Sequence, residues 1–245
     1  MENQKNVSEF YYKEPMAPKK KRPVHTTPYD KDIDKHMKAL FPNRKERVFY
    51  EQSSEFLQID VHLLEAPTKK DFHVLYTVGM SALPMTLPPD LLPQYKDLER
   101  AELMLLLPAE WNLMVPEDGK VDNRLWWPVN LMKYLSRFPH ELKTWLGWGH
   151  TIPNSEAYEP YDESTQLCGV MLGALQEEIS VLRGKDETQV NFYTLIPLYK
   201  EEIDLKQNEG TEALVTKLSE LTGFGMIIFP DRPNVGKIVP KETFS

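Results

Sequence analysis

Asp60 and His62 stand two residues apart in the segment 56–64, where apolar and polar residues alternate. On a strand, that spacing turns both side chains to one face, opposite Ile59 and Val61. A carboxylate beside an imidazole is the start of an acid/base pair or a metal site, provided a third group arrives. His150 is the candidate third group. Without it, Asp60 and His62 reduce to a carboxylate–imidazole hydrogen bond on a sheet. His150 itself belongs to Trp145-Leu-Gly-Trp-Gly-His-Thr151, where two tryptophans, two glycines and a histidine fall within seven residues. Three readings of this segment stand. Trp145 and Trp148 anchor a core, with Gly147 and Gly149 allowing close backbone approach. Alternatively Trp145, Trp148, His150 and Thr151 form an aromatic surface for a partner. In the third reading, His150 serves a metal or a reaction.

Signatures of common catalysts are missing. There is no Walker A loop and no dinucleotide glycine fingerprint. Gly79-Met-Ser-Ala-Leu83 lacks the second glycine of a nucleophile elbow, and His140-Glu141 is not followed by a histidine at position 144. The single cysteine, Cys168, excludes an internal disulfide framework and reads as a small buried residue. No catalytic residue and no cofactor are expected.

The elements that must position these residues follow from periodicity. Asp34–Phe41 fits a short helix ending before Pro42, and strands are expected over 56–64 and 72–77, paired antiparallel across the turn-forming residues 66–71. Glu102–Leu107 is nearly all apolar and suits a strand buried on both faces. Trp127–Phe138 repeats apolar residues at helical spacing, with Trp127, Leu131, Tyr134, Leu135 and Phe138 inward and Pro128 in the first turn. Further strands are expected over 166–172, 178–182, 189–198 and 226–229. Helices are expected over 201–207 and 211–221, the last with Leu214, Val215, Leu218 and Leu221 inward and Gly223 as its stop. The fold class is α/β, of α+β type.

Charge divides the 245 residues unevenly. Residues 1–50 carry 12 Lys+Arg against 7 Asp+Glu, a net of +5, leaving the remainder at −13. Such a body repels nucleic-acid phosphates; its acidity either serves solubility alone or suits a basic protein partner. Residues 1–30 hold four prolines and the tract Lys19-Lys-Lys-Arg22 without apolar periodicity, and read as a flexible basic arm. Residues 31–245 read as one domain. No apolar run is long enough for a membrane helix and the N-terminus has no signal-like apolar stretch, so the expectation is a soluble, cytoplasmic chain.

Gly79-Met80-Ser81, the run Ala101–Pro108 with Glu102 and Leu103, Trp111, Phe138-Pro139 and Gly149-His150-Thr151, in this order, resemble bacterial members of the suppressor of fused domain family over about residues 47–231. The resemblance implies a single domain with a twisted mixed sheet flanked by helices. It also implies a non-enzymatic protein-binding module. In animal relatives a two-domain form sequesters a transcription factor, partly by accepting its peptide as an added strand, and many bacterial relatives look like immunity proteins that neutralise a toxin. The reading that follows is an immunity protein sequestering a toxin, such as a basic nuclease. Its alternatives are a metal-dependent or small-ligand enzyme built on Asp60, His62 and His150, and a regulatory adaptor.

Overall fold

The computed structural model describes residues 24–115, 121–222 and 226–237. The Lys19–Arg22 tract, Gly223 and the side chain of Leu221 lie outside them.

One mixed sheet organises the chain. Its strands are β1 (Glu46–Phe49), β2 (Asp60–Leu64), β3 (Phe72–Val78), β4 (Ala101–Pro108), β5 (Thr151–Pro153), β6 (Gly169–Gly173), β7 (Val181–Arg183) and β8 (Gln189–Leu198). Their order is β1-β2-β3-β4-β8-β6-β5, with β7 also paired to β8. Among the strands of the described residues, only β4 and β8 pair in parallel; β2 and β3 form the expected antiparallel pair, with His62 opposite Tyr76.

Both faces are covered by helices, which explains the sequence of β4. Leu103, Leu105 and Leu107 join Ile59, Val61 and Leu63 beneath α2 (Asn123–Glu141), which contributes Trp127, Leu131 and Leu135. Met104 and Leu106 point to the other face, where α1 (Asp30–Leu40) supplies Ile33 and Met37. A strand with two buried faces has no reason to alternate. After a one-turn helix α3 (Glu177–Ser180), α4 (Lys200–Glu209) and α5 (Thr211–Thr222) cover the β6–β8 end, burying Ile203, Leu205, Leu214 and Leu218 against Met171, Ile196 and Leu198. Cys168 is buried in that layer, and burial pushes its thiol pKa up. Among the described residues, no helix is long and apolar enough to cross a membrane.

Several expectations need correction. Residues 178–182 are not one strand: Glu177 and Glu178 open α3, where their charges favour a helix N-terminus, and pairing begins only at Val181 opposite Asn191. Residues 226–229 make a single bridge, Ile227 to Leu106, and Phe229 turns outward ahead of Pro230. The first strand is regular only from Asp60, although Leu57 and Ile59 are buried as the alternation requires. Helix α2 starts at Asn123, where Asp122 caps the Arg124 N–H, so Pro128 sits inside it and removes one ladder donor. Tyr134 and Val215 face solvent, outside their inward stripes. The described part of the N-terminal arm lies against the sheet. His25 bridges Leu57, and Thr27 and Tyr29 are buried.

Candidate functional site

The segment 145–151 folds as a tight turn that leads into β5, at one end of the sheet order. Its glycines are there for space. A Cβ on Gly147 would lie 2.5 Å from the Trp145 ring, and Gly149 adopts φ +76° with its Cα turned to Thr211, the first residue of α5. The Gly149 N–H donates to Leu172 O at 2.8 Å, and Leu172 N–H donates back to His150 O at 2.9 Å, tying the turn to β6.

The four side chains predicted there divide into two kinds. Trp145 is half-buried, packs on the large core and meets His150 edge to face with centroids 4.5 Å apart. Burial, reinforced by Lys206, pushes the His150 pKa below its ordinary value. Thr151 begins β5, and its Oγ1 is buried without a hydrogen-bond partner among the described residues. Trp148 is different: it is 54% exposed. An indole held in the open by a turn pinned at both ends is a poor investment for a core and a natural anchor for a partner. Exposed Glu209 and Glu212 flank Thr211, which touches the same turn, and Glu156 and Glu159 are exposed just beyond β5. These carboxylates stand close in sequence to the elements that meet the turn, and Lys206 acts on His150 beside them. Pro153 lacks an N–H and limits what the β5 edge can offer an added strand.

Asp60, His62 and His150 are not brought together. His62 lies on β2 and stacks on Tyr76 at 4.9 Å, on the face that carries α1. His150 precedes β5, five places further along the strand order, and Trp145 beside it packs with the opposite face. Neighbouring strands are spaced about 4.8 Å, so the two imidazoles are separated by the width of the sheet. Asp60 is occupied elsewhere: its carboxylate accepts from Glu51 N–H at 2.8 Å and from Gln58 Nε2 at 3.2 Å. His62 Nδ1 instead meets Glu46 Oε1 at 2.8 Å. The sequence distance between Glu46 and His62 hid this pairing, which depends on β1–β2 register.

A second polar centre was not anticipated. Glu102 lies in the middle of the sheet, fully buried. Its carboxylate accepts from Thr77 Oγ1 (2.7 Å), Ser81 Oγ (2.6 Å) and the backbone N–H groups of Gly79 (3.0 Å), Met80 (3.3 Å) and Ser81 (3.0 Å). Burial raises its pKa, against the pull of these donors. Thr27 Oγ1 donates to Ser81 Oγ at 2.8 Å, Arg100 donates to Ser81 O at 2.6 Å, and His140 Nε2 donates to Met80 O at 3.0 Å. Gly79 has φ +136°, and a Cβ there would lie 2.0 Å from Gln58 O. The turn 79–81 is thus a backbone cradle for one carboxylate. Every acceptor position is used internally, so Glu102 organises the fold and offers nothing to a substrate.

The architecture defines a class: a single mixed sheet covered on both faces, with a buried Gly-Met-Ser cradle around the glutamate of its central strand. The family model of Suppressor of fused protein (SUFU) matches residues 57–233, and the chain belongs to that family. Among solved structures, the suppressor of fused homolog from Neisseria gonorrhoeae FA 1090 is 16% identical, with a TM-score of 0.56 over 84% of this chain and 96% of that one. A chain of the Sufu–Fu complex is 15% identical, with a TM-score of 0.61 over 86% and 93%. Drosophila Suppressor of Fused is 14% identical, also at 0.61; this chain covers 86% of its own length and 52% of the fly protein. No curated protein matches the chain.

Proposed function

We propose that the protein is a non-enzymatic binding module that captures a basic protein partner through the face around Trp148, and that the partner is a toxin held in check. The observation that carries this reading is an exposed tryptophan on a turn whose backbone is tied to β6. Indoles supply binding energy when a partner desolvates them, and a body of net negative charge favours a partner carrying Lys and Arg. The −13 charge beyond residue 50 would speed the encounter with a cationic partner. A solved relative is a Sufu–Fu complex, which lends support to a role in protein recognition. The toxin itself rests on the sequence resemblance to bacterial immunity proteins.

The enzyme alternative has lost its geometric basis, because Asp60, His62 and His150 do not converge. Affinity capture from the source cells at low salt tests the proposal. A stoichiometric basic protein, retained by the wild type and lost from Trp148→Ala, is the expected result. A variant lacking residues 1–23, which keeps the buried Thr27 and Tyr29, should capture it equally well; loss there would favour an adaptor working through the arm.

A further inference from the structure

The alternative reading groups His62 with Asp60 and His150, but the fold gives it two other neighbours of metal-ligating type. Asp34 from α1, Glu46 from β1 and His62 from β2 each present one ligand atom, and these atoms lie within 4.8 Å of one another. They come from three elements and meet where α1 crosses the end of the sheet. A cation already occupies the point of convergence: the Lys38 ammonium lies 2.6 Å from Asp34 Oδ1 and 2.7 Å from Glu46 Oε2. The chain's own cation thus marks where the two carboxylates focus their charge. The ligands are also held from behind. Tyr76 OH donates to Glu46 Oε1 at 3.1 Å, and the Tyr76 ring stacks on His62. Outer hydrogen bonds and packing of this kind orient metal ligands.

We propose that Asp34, Glu46 and His62 form a site for a divalent first-row transition ion, with zinc the chemical match. One imidazole and two carboxylates suit zinc, which takes N and O ligands at about 2.0–2.2 Å in tetrahedral geometry, with water as the fourth ligand. Such bonds bring ligand atoms to roughly 3.3 Å from one another. The closure required falls on Asp34, the most exposed of the three at 38%, while Glu46 and His62 stay seated on the sheet. Lys38, 48% exposed on a flexible stem, swings into solvent as the ion enters. The bound ion would clip α1 to β1, an end strand of the sheet order.

Zinc chloride titrated into the untagged full-length chain against a chromophoric chelator tests the site. The expected result is one saturable equivalent that raises the melting temperature. His62→Gln should weaken binding by at least about tenfold, as should Asp34→Asn, which lies on a half-exposed helix face and leaves the core untouched. Lys38→Met, which removes the competing cation, should tighten it several-fold. Circular dichroism of each variant confirms the fold. Absence of saturable binding by the wild type overturns the proposal. So does zinc affinity unchanged in folded His62→Gln and Asp34→Asn, or weakened in Lys38→Met.

Discussion

Arg232 and Glu202 form a buried, two-pronged ion pair: Nη1 lies 2.6 Å from Oε1 and Nη2 lies 2.6 Å from Oε2. Glu202 opens α4 and also accepts from Tyr199 N–H and Val235 N–H, while Arg232 donates to Pro197 O and lies over the Tyr199 ring. The segment 226–237 is thereby fastened to the helical layer, and Ile228 N–H reaches Leu106 O on β4. Arg232→Met leaves a buried carboxylate uncompensated and is expected to destabilise the protein by about 3–5 kcal/mol. Adding Glu202→Gln should recover part of that loss. Urea unfolding measures both; a loss below about 1 kcal/mol in the single variant would show that the pair contributes no more than a surface ion pair.

The Glu102 cradle predicts a sharp response to small changes. Gly79→Ala places a methyl against the Gln58 carbonyl at a φ that L residues rarely adopt, so a loss of about 3 kcal/mol or more is expected. Glu102→Gln turns an amide NH2 towards N–H donors and should cost about 2–4 kcal/mol. Thermal unfolding that leaves both variants near wild type would contradict the cradle's role.

His140 supplies a pH prediction. Burial holds its pKa below the ordinary 6.5 while its ring donates to Met80 O. The unfolded chain therefore binds a proton more readily than the folded one, and this contribution to stability is present above pH 6.5 and lost as pH falls towards the folded value. His73, also depressed by burial, acts in the same direction. The raised pKa of buried Glu102 acts in the opposite direction, so the effect is read by difference: between pH 7 and 5 the melting temperature of the wild type should fall relative to that of His140→Gln. An identical pH dependence in the variant would assign the pH response elsewhere.

Trp145 and Trp148 separate fold from recognition. Trp148→Ala removes an exposed ring and should change stability by no more than about 0.5 kcal/mol. Trp145→Ala removes a ring packed on the core and on His150, and should cost about 2 kcal/mol or more. Comparable losses in the two variants would make Trp148 a structural residue.

Much of this fold is legible in residue patterns. The two-faced burial of β4 follows from its unbroken apolar run, and the antiparallel β2–β3 pair from alternation and turn residues. The Trp145–Thr151 turn announces itself by composition. What escapes is what three-dimensional proximity creates. β1 and β5, with four and three residues, are too short for a period to register. Glu102 sits in an apolar run with no local sign of the five donors it meets, which come from residues 21 to 25 positions earlier. Asp34, Glu46 and His62 come from separate elements, and only sheet register and helix docking bring them together. The Arg232–Glu202 pair spans thirty residues and depends on how the C-terminal segment returns.

Native mass spectrometry of the chain captured from its source cells at low salt tests the binding role most directly. The account predicts a one-to-one complex with a basic protein, dissociating as salt is raised and absent when Trp148→Ala is the bait. The chain recovered alone at its own mass, or the same complex held equally by Trp148→Ala, would contradict it.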